Sequence, residues 1–117
     1  MVVVDYTATQ LRNYLTTQTD WLAIGTSIAE SIETTSVTID EVVANIQKVS
    51  ISYPTTKSYT NEYLLDANTA NGSTLRRIAL KNVSTTSQVI TLSNVPSLDK
   101  NNLIEVSYEY TILINNE

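Results

Sequence analysis

The sequence predicts a mainly β protein: an antiparallel β-sandwich or sheet of about six strands, with one or two short helices near the N-terminus. Three observations carry this. In the stretch Leu103–Ile114, Ile104, Val106, Tyr108, Tyr110, Ile112 and Ile114 alternate with Glu105, Ser107, Glu109, Thr111 and Leu113. Successive strand side chains point to opposite faces, so this is one strand with a buried face and a mostly wet face. At ~3.3 Å per residue it spans on the order of 35–40 Å, a length that needs several partner strands. The same period of two recurs upstream, in 48–53, 58–66 and 74–83. Finally, 41 of the 117 residues are Thr, Ser or Asn. With Tyr, Ile and Val, this is the composition of pleated, half-wet surfaces and turns.

Taken in order, Val2–Val4 is a short strand or a docking arm. Thr7-Ala-Thr-Gln10 has the form of a capping box, Thr at N-cap and Gln at N3, with Tyr6 and Leu11 as its hydrophobic staple. Leu11, Tyr14 and Leu15 follow at i, i+3 and i+4, which predicts an amphipathic helix over 8–17. Thr16, Thr17 and Thr19 are weak helix formers and close it. Trp21–Gly25 is a compact apolar run, read as a short buried strand, and Ile28–Thr35 is a polar loop. Thr38-x-x-Glu41 is a second capping box, with Val37 and Val42 as staple, opening one or two helical turns through Val43 and Ile46. Val49, Ile51 and Tyr53 then share one strand face, until Pro54 stops the strand or marks an edge. Tyr59, Tyr63 and Leu65 align in the next strand. Asn71-Gly72 predicts a hairpin into a return strand from Thr74 to Val83. A turn at Ser84–Ser87, a strand Val89–Leu92 and a connection over Val95–Asn102 lead into the last strand. No repeat or linker divides the chain. It is read as a single β-rich domain over 1–117, with residues 1–20 forming an arm and helix packed on it.

The formal charge of −5 argues against binding a nucleic-acid backbone, which needs clustered Lys and Arg. Only Arg76 and Arg77 stand together, and adjacent strand residues face opposite ways. There is no Cys and no His, so disulfides, thiolates and the commonest general base and metal ligand are absent. No apolar run approaches the ~20 residues of a membrane-spanning helix. Met1–Asp5 lacks the basic start and long apolar core of a signal peptide. These features suggest synthesis in a cytoplasm.

Asp66–Gly72 is the nearest approach to a metal loop. A calcium hand wants oxygen ligands at its first, third and fifth positions, glycine at the sixth and an acid at the twelfth. Ala70, Gly72 and Arg77 break that pattern, and a plain turn is the stronger reading. Asp40-Glu41 and Glu105/Glu109 are the paired carboxylates. The latter two share a strand face ~13 Å apart, wider than the ~5–9.5 Å of glycosidase pairs, so a solvated charged face is the better reading. Without His or Cys no triad can be assembled, and no serine is singled out for a Ser–Lys dyad. Trp21 and seven tyrosines raise a sugar-stacking platform, although Tyr108 and Tyr110 share the face of Val106 and Ile112, where a core belongs. Asn71-Gly-Ser73 and Asn82-Val-Ser84 fit the glycosylation pattern, which a chain this rich in Asn, Ser and Thr meets by chance. No catalytic, cofactor-binding or metal-binding residue is assigned.

Trp21-Leu-Ala-Ile-Gly-Thr-Ser27 resembles an "aiGt" run that follows a short helix in small structural proteins of tailed phages, from tail fibre, collar and baseplate regions. Asn71–Lys81 is similar to their later "nG.ti.EiGLf" segment, with Arg77, Ala79 and Lys81 standing where those proteins carry Glu, Gly and an aromatic. Ile104–Ile114 matches their closing "i.v.y.i.i" strand. The resemblance implies a noncatalytic virion protein located in the particle, present in several copies and contacting itself and other virion proteins. A small glycan-binding β-sandwich is the alternative, with Trp21 or exposed tyrosines as its platform.

Overall fold

The computed structural model describes residues 5–27, 39, 41–85 and 89–114. Val2–Val4, Ile28–Thr35 and Asp40 lie outside the described residues. Helix α1 (Asp5–Gln18) precedes six strands: β1 (Trp21–Gly25), β2 (Val42–Ser52), β3 (Ser58–Leu65), β4 (Thr74–Lys81), β5 (Thr91–Asp99) and β6 (Val106–Leu113). The strands form one antiparallel sheet in the order β5-β4-β1-β2-β3-β6. Laid flat, its two edges would stand ~24 Å apart. Instead Ser93 Oγ on β5 and Tyr110 OH on β6 meet at 3.0 Å. The sheet therefore curls until its edge strands face one another across a single core. Leu22, Ile24, Ala44, Tyr63, Leu65, Leu75, Ile78 and Leu80 fill that core, with Val106, Tyr108, Tyr110 and Ile112 packed against it. A smaller cluster of Ala23, Ile39 and Ala79 covers the opposite face of β1 and β4.

The strand order overturns the hairpin expected at Asn71-Gly72. Consecutive strands β1, β2 and β3 are neighbours, and β4 returns to lie beside β1, which is a Greek key. Both sides of β3 are occupied, by β2 and β6, so the chain after Leu65 must cross to the other half of the sheet. Ala70 (φ 61°) and Gly72 (φ 85°) take left-handed conformations in that crossing. Lys100, only 2% exposed, ties it down. Its carbonyl accepts from Gly72 N at 2.9 Å and its N–H donates to Ser73 O at 2.9 Å. Its ammonium donates to Asn71 Oδ1 and Asn101 O, each at 3.0 Å.

The second predicted helix is also absent. Glu41 has φ 53° and Val42 opens β2, so Val42, Val43 and Ile46 extend along a strand. Ile46 pairs with Leu22, and burial against β1 outweighs the local capping signal. Up to Gln47, β2 pairs with β1; from Lys48 it pairs with β3, with a register shift between Lys48 and Ser50. That irregularity turns Val49 to solvent, away from the face it was expected to share with Ile51, and Tyr53, just past the end of β2, is exposed as well.

A second irregularity explains β5. Between Arg77↔Asn94 and Leu75↔Leu98, β4 advances two residues while β5 advances four. Pro96 sits in this excess, on an edge strand where a missing N–H is tolerated. The strand thus runs through the stretch expected to be a connection. The same shift sets Leu75 on the core face with Ile78 and Leu80. β6 is shorter than the alternating sequence, because Asn101 holds the preceding turn through Leu103 N (2.8 Å) and Ile104 N (3.3 Å). It has one strand partner rather than several.

Helix α1 starts at Asp5, so Thr7 lies within it rather than capping it. Its buried contacts are Ala8 and, in part, Leu15; Tyr6, Leu11 and Tyr14 are exposed, so the anticipated staple and apolar face do not meet the core. The last turn closes as the threonines predict. Thr16, Thr17 and Thr19 hydroxyls donate to Asn13 O (2.7 Å), Tyr14 O (2.6 Å) and Leu15 O (2.9 Å), the last of which is among the four carbonyls at the helix end. Arg12 lies 4.4 Å from the Tyr53 ring centroid and donates to Thr55 O at 3.4 Å, which fastens α1 beside the β2–β3 turn.

Thr19 reaches a polar cluster inside the sheet. Tyr59 OH bonds Thr19 Oγ1 at 2.9 Å, and Asn61 Nδ2 donates to Tyr63 OH at 2.9 Å and Thr19 Oγ1 at 3.2 Å. Tyr63 OH donates to Thr19 O. All four side chains are buried, so their hydrogen bonds decide whether the helix end can sit there at all.

Candidate functional site

Among the described residues, β6 is one of the two edge strands of the sheet. It pairs with β3 alone, just as β5 pairs with β4 alone. Two rows of side chains define its faces. Inward, Val106, Tyr108, Tyr110 and Ile112 oppose Leu65, Tyr63, Asn61 and Tyr59. Outward, Ser107, Glu109, Thr111 and Leu113 oppose Leu64, Glu62, Thr60 and Ser58. Thr60 and Thr111 hydroxyls bond at 2.8 Å. Leu113 is 65% exposed, and Leu64 on the same face is exposed too. β6 contains no Pro, Gly, Lys or Arg, whereas β5 carries Pro96.

The register also brings Glu62 opposite Glu109, a pairing hidden from sequence because it crosses strands. Directly opposed like charges weaken a sheet, and the only relief among the described contacts is a long 3.5 Å bond from Ser107 Oγ to Glu62 Oε2. Glu62→Gln should therefore raise the unfolding free energy by about 0.5 kcal/mol, read as a higher urea midpoint with unchanged slope. An unchanged or lower midpoint would show that the two carboxylates do not oppose one another.

The other sequence candidates are accounted for locally. Asp66 Oδ1 accepts from Thr69 Oγ1 (2.7 Å) and Asn68 N (2.9 Å), and these bonds, Thr69 first, hold its carboxyl below the usual range. Its loop is thus turned on itself, and the Lys100 ammonium already occupies the Asn71 amide oxygen. Glu41 is exposed and receives Thr26 Oγ1 at 3.5 Å. Glu105 is exposed ahead of β6. Arg76 donates to Thr26 O at 3.1 Å and Arg77 to Asn94 Oδ1 at 2.8 Å, so the pair diverges as expected. Lys81, whose amine is held low by burial, donates to Ser84 O at 3.2 Å.

Trp21 is half-buried at the start of β1, between Gln47 and Lys81. Tyr59 and Tyr63 are buried, and Tyr108 and Tyr110 pack on the core. The exposed rings are Tyr6, Tyr14 and Tyr53, and Arg12 stacks on the last. Among the described residues no three His, Cys, Asp or Glu side chains group as a metal site, and no helix is long and apolar enough to cross a membrane.

Sequence reasoning missed Asn61, Lys100 and the Glu62–Glu109 opposition. Asn61 carried a signal: it interrupts the apolar face of Tyr59, Tyr63 and Leu65, and a polar residue in such a row needs buried partners. No protein-family model matches the chain, and no curated protein matches it either.

Proposed function

We propose that this protein is a noncatalytic structural component of a tailed-phage virion. It is held in several copies in the tail, neck or collar, or a head fibre, and acts through contacts with itself and other virion proteins. The observation that carries the reading is the open edge of β6, an eight-residue strand with one neighbour and an exposed leucine beside it. Exposed strand edges pair with other chains, with backbone hydrogen bonds supplying affinity. The low charged content, 16%, leaves hydroxyl-rich and apolar surface that is inexpensive to desolvate between subunits. The resemblance of Trp21–Ser27, Asn71–Lys81 and Ile104–Ile114 to tailed-phage structural proteins supports the setting.

Mass spectrometry of purified particles tests the location, with the chain expected among their proteins in multiple copies. A chain absent from every particle would overturn the virion reading. Leu113→Asp tests the outer face: its side chain is largely exposed, so folding stability should change by no more than ~0.5 kcal/mol while assembly weakens. Unchanged assembly would remove that face from the interface.

A further inference from the structure

We infer that β6 is the edge through which the chain pairs with a second copy of itself, β6 against β6 in antiparallel fashion about a two-fold axis. The inference rests on the multi-copy reading above and names the surface and the partner for it. Among the described residues the sheet has two open edges, and they are not equivalent. Along β5 the ladder is interrupted by Pro96 and by the two extra residues opposite Leu75–Arg77. Proline and bulges are devices that blunt an edge. β6 carries neither, has no Lys or Arg, and keeps an unbroken register with β3 from Val106 to Leu113.

Charge selects how two such edges meet. A two-fold axis perpendicular to the sheet keeps inward residues beside inward ones and outward beside outward. Centring the ladder on Glu109 would oppose two carboxylates on a face where Glu109 already opposes Glu62. Centring it on Tyr110 instead sets Glu109 against Thr111, Ser107 against Leu113 and Tyr108 against Ile112. No like charges meet, the exposed apolar side chain of Leu113 gains cover, and the inward aromatic row continues from one copy to the next. Centring it on Thr111 also separates the charges but leaves more of β6 unpaired. The Tyr110-centred register is the one that is free of charge conflict and uses the most strand.

The absence of cysteine makes the test clean. In this register, Ser107→Cys combined with Leu113→Cys keeps Glu109 and places each thiol opposite the other kind in the partner copy, at Cβ separations of ~4.5–5.5 Å, from which a small backbone adjustment closes a disulfide. Either single variant leaves its thiol six residues along the ladder from its own kind, ~20 Å away. Both positions are exposed, and circular dichroism verifies that the variants fold. After mild air oxidation, the double variant should run mainly as a covalent dimer on a non-reducing gel. The two single variants and an exposed control, Ser52→Cys, should run as monomers. Efficient cross-linking of a single variant would overturn the register, and equal cross-linking of the control would overturn specific pairing. Oligomers seen by light scattering without a covalent dimer from the double variant would overturn β6 pairing while leaving the multi-copy reading intact. A monomer by light scattering would overturn both.

Discussion

Tyr63→Ala should cost about 4 kcal/mol of folding stability, within the ~3–5 kcal/mol typical of removing a buried aromatic ring. Tyr63 is fully buried, opposes Tyr108 across β3 and β6, and sits in the core with Leu22, Ile24 and Leu80. A domain of this size has only ~5–15 kcal/mol in total, so the variant should be close to unfolding at ambient temperature. Tyr63→Phe separates the ring from the hydroxyl. It keeps the packing but removes the donor to Thr19 O and the acceptor for Asn61 Nδ2. Asn61 Nδ2 then keeps only its longer bonds to Thr19 Oγ1 at 3.2 Å and Thr19 O at 3.3 Å, while Asn61 Oδ1 has no protein partner. Losing two buried hydrogen bonds at ~0.5–1.5 kcal/mol each costs ~1–3 kcal/mol, or a fall of roughly 4–24 °C in Tm at ~4–8 °C per kcal/mol. Thermal unfolding followed by circular dichroism measures both. A Phe variant as stable as the parent would show that the Thr19 cluster does not anchor the helix end.

Alkaline pH should unfold the protein through the same cluster. Burial pushes the Tyr63 hydroxyl from its ordinary 10.0 up to about 12. Below pH 10 the tyrosine is protonated in both states, so no stability depends on pH there. Between 10 and 12 the unfolded chain gives up the proton and the folded chain keeps it, so stability falls as pH rises. The loss is ~1.4 kcal/mol per pH unit, on the order of 2–3 kcal/mol in all. Tyr59 and Tyr108 are raised as well, each chiefly by burial, and act with the same sign. Lys81 acts in the opposite sense just below its ordinary 10.5, because burial lowers its amine and the unfolded state then binds more protons. The opposing contribution of Lys81 fades as pH rises past its ordinary 10.5, so the fall is steepest toward the upper end of the interval. Urea unfolding across this interval should give a steep decline for the parent and a shallower one for Tyr63→Phe. Equal slopes would remove Tyr63 as its source.

The sequence revealed strands wherever side chains followed one period without interruption. β1, β3, β4 and β6 could be read from Leu22 and Ile24, Tyr59 and Tyr63, Ile78 and Leu80, and Tyr108 and Tyr110. The failures arose where local and distant preferences compete. Thr38–Glu41 has the form of a helix start, yet Val43 and Ile46 pack against the core as part of a strand beside β1. Pro96 ends a strand in most contexts but not at an edge where the ladder already skips. Asn71-Gly72 makes a turn whether or not its flanking strands pair, so it could not report that β3 and β4 lie apart. The candidate surface divides the same way. The outward face of β6 and the exposure of Leu113 follow from parity. That β6 is an edge, and that Glu109 meets Glu62, depend on strand order, which no local pattern encodes.

The central claim is that the chain works as one of several copies joined through its open edge. Molar mass from light scattering coupled to size exclusion, followed over a dilution series, tests it most directly. A species of at least two chains that dissociates on dilution is expected. A molar mass equal to the 13.0 kDa of one chain at every concentration would contradict it.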